Sequence, residues 1–537
     1  MIVLGLHGGV TIGQHEPAAA LVINGRVVAL CEEERYLRIK FAYGHLPYNA
    51  IKGCLEIANI PFDEIDLVVT PGITYDHFEE RIRDFLRHSF GSCPKIERIH
   101  HQQAHLAAAF YASGLDDALC LSLDATGDGA CGMLAHGTRD GGLRILEEIP
   151  TQNSLGFFYT LMTHYLGFDD GDEYKVMGLA PYGEPSVDLS RIIHPTNGGW
   201  HFDWSFVRSD PPVRSPFEPL YAHKVAEFLG QPNRMPGAKI TGFYRDVARS
   251  TQAVTEDCLF SLVVALKERV PEARNLCYAG GVALNCTANR RLFHSGMFDN
   301  IYVSPVSSDR GLALGCAYHG AVVSGDKPWP IWNSYLGSSY SDDAIRKELE
   351  ANDCRYEEVG DPAAVGAELL ASKKILGWYQ GRSEAGPRAL GNRSILASCG
   401  DAEMRDLVNA RIKYREEFRP FAPSVLAEES ETYFRTGGVD FPYMCFAVDT
   451  VPEKVGSIPA VVHVDGTARI QTVRSSDNEL YYDLIRKYRN ITGMPVILNT
   501  SFNLKGQPII DSPRDALMTF YGCGLDALIM GNFLVRK

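Results

Sequence analysis

The strongest constraint on the fold is a strand and hairpin pattern that occurs twice. The chain opens with the apolar strand IVLGLH, a Gly-Gly turn and the apolar hairpin AAALVINGRVVALCEEER. A related pattern returns at 118–146, where ALCLSLD is followed by a Gly- and Asp-rich turn and two further strands. Short apolar runs between such turns are typical of β-hairpins. The repeat therefore predicts two similar lobes.

Duplicated lobes that carry hairpins resemble the superfold (ASKHA) shared by actin, the sugar kinases and the heat-shock ATPases. In that superfold a nucleotide lies between the lobes, and its phosphates sit on the hairpin turns. The resemblance implies an α/β fold with two actin-like, glycoprotease-like lobes.

Two breaks in the periodic pattern divide the chain. Pro, Gly and Ser cluster at 327–343 before a new helix and strand pattern begins. This break predicts an N-terminal domain at 1–334 and a C-terminal α/β domain at 335–537. Residues 184–240 are rich in Pro, Trp and charge, and they precede a predicted helix at 241–269. We interpret 184–240 as an insertion.

Composition excludes several classes of protein. A formal net charge of −14 is unsuited to a partner that is bound by neutralising its phosphates. The N-terminus lacks the features of a secretory signal, and no apolar run approaches the length of a membrane span. The thirteen cysteines include no C-x-x-C pair, which argues against a disulfide framework or a thiolate zinc site. We predict a cytoplasmic protein with no nucleic-acid or membrane partner, and we allow for a homodimer.

Two histidines and two aspartates form the first candidate site. His101 and His105 are four residues apart in a predicted helix, so both imidazoles lie on one face and can share an ion. Two solvated or capping histidines would give the same spacing. Asp124 ends an apolar strand and Asp309 lies where a loop enters a helix, although such aspartates also form turns. Together they would supply mixed N and O ligands, which suit Fe(II), Zn or Mn better than Mg or Ca.

A Gly-Gly turn in YAGGVALNC, residues 278–286, forms a second candidate site. An apolar strand enters the turn and a helix follows, and paired glycines let a ligand approach the backbone closely. A tight connection between a strand and a helix is the alternative interpretation.

Cations and amides cluster in the C-terminal part of the chain. Arginines flanked by Pro, Gly and apolar residues are harder to explain as an exposed helix face, and guanidinium groups bind phosphate by two-point hydrogen bonds. For Arg415, which has acidic neighbours, an exposed charged face is the alternative. Polar residues after the strand PVILN would bind a planar ligand or simply form a turn. The candidates are Arg388, Arg393, Lys413, Arg415, Arg419, His463, Arg469, Asn499, Ser501 and Asn503.

The order of these segments resembles that in the O-carbamoyltransferases of the NodU/CmcH family, which include nebramycin synthase-like antibiotic carbamoyltransferases. The similarity covers almost the whole chain, and the KVMGLAPYG and LNTSFN motifs are highly specific. The segments that carry it are HHQQAH, LSLDATGDG, DEYKVMGLAPYGEP, GGVALNC, SSDRGLALGCA, GRSEAGPRALGNRSIL, NARIKYREEFRPFAPSVL and PVILNTSFNLKGQPI.

The resemblance implies a role for each candidate site. The first domain would bind Fe(II), or a divalent metal that replaces it, and adenosine. The second, YrdC-like domain would make carbamoyl adenylate from carbamoyl phosphate and Mg-ATP. Lys175 would act near the phosphates. The metal ligands would be His101, His105, Asp124 and Asp309, and the nucleotide would lie against Gly127, Gly280, Gly281, Val282 and Asn285.

The first hairpin departs from the family pattern. Where the family usually has an Asp followed by a small residue, this chain has Gln14-His15-Glu16-Pro17. His15, and after it Glu16, are the candidates for the base that deprotonates the acceptor.

We therefore predict an ATP-dependent carbamoyltransferase that carbamoylates a hydroxyl group of a small metabolite, such as an antibiotic or a sugar, with the 184–240 insertion beside the acceptor. Carbamoyl or threonylcarbamoyl transfer to tRNA is one alternative, and a small-molecule kinase of the actin-like superfold is another. The acidic balance argues against tRNA, and a kinase would need neither the histidines nor the C-terminal cations.

Overall fold

The computed structural model describes residues 1–9, 14–207 and 222–537, so part of the predicted insertion, 208–221, lies outside the described residues. The chain forms two compact units. The first consists of Met1–Val27, Tyr43–Tyr48 and Ile60–Ile331, and the second of Val28–Ala42, Asn49–Asn59 and Trp332–Lys537.

Strands and helices alternate along the described residues. The strands are β1 (Ile2–His7), β2 (Ala18–Ile23), β3 (Arg26–Glu32), β4 (Leu67–Pro71), β5 (Lys95–Ile99), β6 (Asp117–Gly127), β7 (Ala130–Thr138), β8 (Gly142–Pro150), β9 (Ile193–Thr196), β10 (Gly199–Phe202), β11 (Asn275–Ala279), β12 (Asn300–Val303), β13 (Tyr356–Glu358), β14 (Leu376–Tyr379), β15 (Arg393–Ser398), β16 (Ala422–Leu426), β17 (Val448–Asp449), β18 (Thr467–Ala468), β19 (Gln471–Val473), β20 (Val496–Ser501), β21 (Ala527–Met530) and β22 (Phe533–Arg536). The α-helices are α1 (Glu33–Leu37), α2 (Tyr48–Ala58), α3 (Phe78–Phe90), α4 (His101–Ser113), α5 (Leu155–Tyr165), α6 (Glu173–Leu179), α7 (Ala222–Leu229), α8 (Gly242–Arg269), α9 (Cys286–His294), α10 (Leu312–Val323), α11 (Asp342–Ala351), α12 (Pro362–Ala371), α13 (Ala402–Val408), α14 (Ser430–Tyr433), α15 (Glu479–Thr492) and α16 (Pro513–Tyr521).

Two five-stranded sheets share the same topology. Their strand orders are β3-β2-β1-β4-β5 and β8-β7-β6-β11-β12. In the first sheet, β1 pairs antiparallel with β2 and parallel with β4, and β4 pairs parallel with β5. In the second sheet, β6 likewise pairs antiparallel with β7 and parallel with β11, and β11 pairs parallel with β12. The matching orders confirm the predicted duplicated lobes of an actin-like α/β fold.

Two helices pack at the centre of the first unit. Helix α4 follows the last strand of the first sheet but packs against β6, β7 and β11 of the second sheet. Helix α10 follows the last strand of the second sheet but packs against β1, β2 and β4 of the first. The two helices also pack against each other.

Small residues allow this close packing. A Cβ atom on Gly5 of β1 would lie 1.9 Å from the carbonyl oxygen of Ala313 in α10. A Cβ atom on Gly315 of α10 would lie 1.8 Å from the carbonyl oxygen of Ala104 in α4. A larger residue at Gly5 would push β1 away from α10, and one at Gly315 would push α10 away from α4.

The second unit is built on a mixed eight-stranded sheet with the order β13-β22-β21-β14-β15-β20-β16-β19, which gives the predicted C-terminal α/β fold. It also contains Val28–Ala42, a segment that the sequence boundary at 334 placed in the first domain. Hydrogen bonds attach this segment to the second unit: Leu30 N donates to Leu336 O, and Gly386 N donates to a Glu32 carboxylate oxygen. Such long-range pairing leaves no periodic signal in the sequence.

Two further properties concern the chain as a whole. Among the described helices, none combines the length and the apolar character needed to cross a bilayer. All thirteen cysteines are free.

Candidate active site

The four predicted metal ligands come together in the first unit. One ligand atom from each of His101, His105, Asp124 and Asp309 lies within 4.8 Å of all the others. Both His101 Nε2 and His105 Nε2 are 3.2 Å from Asp124 Oδ2, and they are 3.5 and 3.6 Å from Asp309 Oδ1. The structure thus brings together residues that are more than two hundred positions apart in the sequence.

Local structure fixes each ligand. The His100 side chain caps α4 by accepting a hydrogen bond from Gln102 N, so α4 begins at His101. Strand β6 is irregular between Leu123 and Gly127, and such a bulge turns Asp124 out of the regular ladder. Asp309 opens the short helical turn that leads into α10.

The electrostatics of the cluster require a positive charge. Burial alone lowers the pKa of the His101 imidazole, but Asp309 and Asp124 outweigh burial and raise this pKa to about 10. Burial alone raises the pKa of Asp309, but the neighbouring imidazoles hold it well below its usual value. Two buried carboxylates beside each other are stable only with a cation between them, either a protonated imidazole or a metal ion.

The residues present fit a metal ion. Two imidazole nitrogens and two carboxylate oxygens converge, all from side chains that are largely buried. This donor set is suited to Fe(II), Zn or Mn. A divalent ion there would be bound by neutral imidazoles and would replace the proton on His101.

His15, the first candidate base, lies at the edge of the cluster. Its Nε2 is 3.9 Å from Asp309 Oδ2, and its ring packs edge-on against Tyr43 at 5.5 Å between centroids. His7 Nε2 is 3.5 Å from the same Asp309 oxygen and 3.0 Å from the His15 carbonyl oxygen. Sequence reasoning missed His7 and Tyr43, although a histidine that ends a strand before Gly-Gly was a usable signal for His7.

Glu16, the second candidate base, forms an ion pair with Arg310, and both side chains are buried. A carboxylate held by a buried guanidinium is a poor base. Lys175 forms an ion pair with Asp172 at 2.6 Å, on the first turn of α6. The structure therefore gives both Glu16 and Lys175 a partner within the protein, and the catalytic role of each stays a prediction.

The Gly-Gly motif lies beside the candidate metal centre. Gly280 has a φ of +88°, and a Cβ on it would lie 2.1 Å from the Leu123 carbonyl oxygen. A Cβ on Gly281 would lie 2.9 Å from Asp124 Oδ1, and a Cβ on Gly127 would lie 2.2 Å from Cγ of His101. All three glycines therefore have a packing reason to be present. Their contact with a nucleotide stays a prediction.

Asn285 and Val282 complete the predicted nucleotide motif. Val282 lies in the short helical turn Gly281–Leu284. Asn285 caps α9 through Ala288 N and exchanges two hydrogen bonds with the Gln252 amide, at 2.9 and 3.0 Å. Fully buried Gln252 also accepts a hydrogen bond from the Tyr159 hydroxyl. Gln252 was not identified from the sequence, where it is one polar residue within a long helix.

In the second unit, Lys413 joins two of the predicted amide and hydroxyl residues. Its Nζ donates to Ser501 O and to Asn503 Oδ1, at 2.5 and 2.8 Å. Burial and the neighbouring charges of Arg415 and Arg419 lower the pKa of Lys413 well below its usual value. A bound anion would reduce the mutual repulsion of these three cations.

The other predicted residues also belong to the second unit. His463 Nε2 is 3.3 Å from the carbonyl oxygen of Phe418, next to Arg419. Asn499 Nδ2 is 3.2 Å from the carbonyl oxygen of Ala389, next to Arg388. Half-buried Arg469 stands between β18 and β19.

Arg393 also has partners within the protein. Its side chain is fully buried, and its guanidinium group stacks over Tyr379 at 3.8 Å. The guanidinium nitrogens donate to backbone carbonyl oxygens, including those of Asp511, Gln380 and Ser338. Arg393 therefore anchors loops of the second unit, and its role in binding an anion stays a prediction.

Comparison with known protein families identifies the chain. The model described as Carbamoyltransferase N-terminus matches residues 76–318, and the model described as Carbamoyltransferase C-terminus matches residues 367–537. The chain belongs to the carbamoyltransferase family, as its resemblance to NodU/CmcH-type enzymes implied.

Relatives extend over the whole chain. Nodulation protein NolNO of Sinorhizobium fredii (strain NBRC 101917 / NGR234) is 36% identical over 586 residues, covering 100% of this chain and 83% of the relative. Nodulation protein NolO of Bradyrhizobium diazoefficiens is 38% identical over 460 residues, covering 82% of this chain and 79% of the relative. A solved structure, the activator of the 2-hydroxyisocaproyl-CoA dehydratase from Clostridium difficile, aligns with a TM-score of 0.36 and 16% identity, covering 62% of this chain and 99% of that chain.

Proposed function

We propose that this carbamoyltransferase uses ATP to activate the carbamoyl group of carbamoyl phosphate and then transfers it to a hydroxyl group of a small metabolite. The observation that carries the proposal is the convergence of two histidines and two aspartates within 4.8 Å in the first unit. The group of cations in the second unit, centred on Lys413, supports a separate anion-binding stage.

The first stage belongs to the second unit. Arg469, Arg388 and the cations near Lys413 bind carbamoyl phosphate, whose carbonyl–oxygen–phosphorus linkage is cleaved with water to give carbamate and phosphate. A carbamate oxygen then attacks the α-phosphorus of Mg-ATP, and pyrophosphate leaves. Asn499 and His463 orient the planar carbamoyl group. Carbamoyl adenylate is the product.

The second stage belongs to the first unit. His101, His105, Asp124 and Asp309 would hold a metal ion, which would supply Lewis acidity. His15 takes the proton of the acceptor hydroxyl, since its Nε2 lies near Asp309 and the imidazolium that forms is stabilised by that carboxylate. The acceptor oxygen bonds to the carbamoyl carbon, and the bond from that carbon to the AMP oxygen breaks. The Gly280 to Asn285 segment holds the adenosine.

Omission of one substrate at a time tests the reaction. We expect release of pyrophosphate only when ATP and carbamoyl phosphate are both present, and release of AMP with the product only when a hydroxyl acceptor is added. A kinase would release ADP without carbamoyl phosphate, and an enzyme acting on tRNA would need tRNA as the acceptor. Either result would contradict the proposal.

Substitution of the ligands tests the site. We expect His101→Ala and Asp309→Ala to lose bound metal and to abolish transfer, while pyrophosphate release largely continues. His136→Ala is the matched control, because His136 also contacts an aspartate, Asp117 at 2.8 Å, but lies outside the cluster. Full transfer by the ligand variants, or an active wild-type protein without metal, would refute the metal assignment.

A further inference from the structure

Asp128 has an unusual conformation in the turn between β6 and β7. Its φ is 54°, in the left-handed region, although it carries a side chain. It is only 6% exposed. A buried carboxylate in a strained backbone conformation persists only where its interactions compensate the strain and the loss of hydration.

Both oxygens of Asp128 are engaged by other segments. Oδ2 accepts hydrogen bonds from His101 N at 2.8 Å and from Gly72 N at 3.1 Å. Oδ1 accepts from Thr74 N at 2.9 Å and from Thr74 Oγ1 at 2.8 Å. One carboxylate thus joins the β6–β7 turn, the start of α4 and the loop that follows β4.

The hydrogen bond from His101 N to Asp128 lies at the N-terminus of α4. His101 is the first residue of α4, where backbone N–H groups have no partner within the helix. A carboxylate there satisfies one of these groups and interacts favourably with the helix dipole. The same helix carries both imidazole ligands, His101 and His105, so the place where α4 begins determines where both ligands stand.

The loop after β4 is held from two sides. Besides its bonds to Asp128 through Gly72 and Thr74, it is bound by Arg98, which donates to Gly72 O and to Tyr75 O. A loop held by both a carboxylate and a guanidinium has a defined position relative to α4.

We propose that Asp128 is a positioning residue of the metal centre: it fixes the start of α4, and with it His101 and His105, relative to Asp124. It also ties the loop that contains Gly72 and Thr74 to the same point. This inference deepens the proposed function and rests on the metal centre proposed there.

The chemistry of the donors requires a carboxylate. Four hydrogen atoms point at the two oxygens of Asp128. An asparagine offers one oxygen and one NH2 group, so two of these donors would face another donor. Asp128→Asn should therefore be nearly as impaired as Asp128→Ala.

Zn²⁺ titration of the metal-free full-length protein, with a competing chelator, tests the inference. We expect Asp128→Ala and Asp128→Asn to bind Zn²⁺ about tenfold to a hundredfold more weakly than wild type. Thr74→Val, which removes one of the four hydrogen bonds, should weaken binding about two- to tenfold. The control is Asp401→Ala, which removes a carboxylate that caps α13 in the second unit and should leave Zn²⁺ binding unchanged.

A purely structural role predicts a different pattern. It would lower the melting temperature of the Asp128 variants without changing Zn²⁺ affinity in the folded protein, and this result would overturn the inference. Equal weakening by Asp401→Ala would overturn it too. If Asp128→Ala does not fold, the Zn²⁺ affinity of Thr74→Val tests the proposal instead. An affinity equal to that of wild type would then overturn it. If wild type binds no Zn²⁺, Fe²⁺ or Mn²⁺, the metal centre of the proposed function itself fails.

Discussion

The two oxygens of Asp309 face different partners. Oδ1 points to His101 and His105, whereas Oδ2 points to His7 and His15, at 3.5 and 3.9 Å. One carboxylate thus links the metal ligands to the first hairpin, where the candidate base lies. This link gives a physical reason for proposing His15 as the base, even though the sequence of that hairpin departs from the family pattern.

The Glu16 and Arg310 pair stabilises this arrangement, because the two residues are the direct neighbours of His15 and Asp309. Glu16→Gln removes the carboxylate that neutralises the buried guanidinium of Arg310 and should lower the free energy of unfolding by about 3–5 kcal/mol. Glu79→Gln breaks the exposed pair with Arg83 and should cost about 0–1 kcal/mol. Urea denaturation measures both. A similar small effect of the two substitutions would show that the buried pair does not hold the hairpin.

Asp511 predicts a dependence of stability on pH. Burial raises the pKa of this carboxyl group above its usual value. The folded protein therefore holds the proton more tightly than the unfolded chain. Below the unfolded pKa the carboxyl group costs the folded protein no stability, and this cost grows as pH rises through the folded pKa. The stability of Asp511→Asn relative to wild type should increase from pH 4 to pH 7, as measured by urea denaturation at each pH. A constant difference would contradict the shifted pKa.

At the scale of elements, the turn from β6 to β7 organises the metal centre. At the irregular end of β6, just before this turn, Asp124 supplies a ligand and Gly127 leaves room for the His101 ring. In the turn itself, Asp128 binds the start of α4. The turn was recognised from the sequence as a Gly- and Asp-rich segment. Only Asp124 was assigned to the metal, because a sequence does not show which turn residue faces which helix.

The glycines of this turn allow a sharp test. Gly127→Ala places a Cβ 2.2 Å from Cγ of His101, so the ring must shift and metal affinity should fall at least about tenfold. Gly129→Ala is the matched control. Gly129 has a φ of +85°, and no atom of the described residues lies within 4 Å of a Cβ there, so alanine strains only the backbone. It should lower the melting temperature and leave metal affinity unchanged. Equal metal affinity of the two variants would contradict the geometry.

Sequence patterns predicted the strands and helices better than the contacts between distant segments. Apolar runs and turns identified β1, the β2 and β3 hairpin, and helices α4 and α8, because those signals are local. The transfer of Val28–Ala42 to the second unit was not predicted, since it depends on hydrogen bonds to residues about three hundred positions away. The backbone partners of Arg393 were not predicted either, for a related reason. An arginine whose donors are satisfied by backbone carbonyls has the same local sequence as one that binds a ligand.

At the scale of the whole molecule, the two units carry chemically different groups. The first contains imidazoles and carboxylates around a candidate metal centre, and the second contains a group of cations with amides and a hydroxyl group. This division supports the two stages of the proposed function, formation of carbamoyl adenylate and its use. A defect in either unit should therefore affect its own stage alone.

Arg469 tests the first stage. Lysine keeps the charge but loses the planar two-point geometry, so Arg469→Lys should be impaired and Arg469→Ala more so. Loss of a charge-assisted bond to a buried anion costs roughly 2–5 kcal/mol, or about one and a half to three and a half decades in rate or affinity. Pyrophosphate release in the presence of ATP and carbamoyl phosphate measures this defect, and wild-type release by both variants would contradict it.

The most direct test of the account supplies chemically made carbamoyl adenylate, together with a hydroxyl acceptor, to two variants and measures the carbamoylated product. Arg469→Ala should recover product formation, because its defect precedes the adenylate. His101→Ala should not recover, because its defect lies in the step that consumes the adenylate. Equal recovery of both variants, or of neither, would contradict the division of the reaction between the two units.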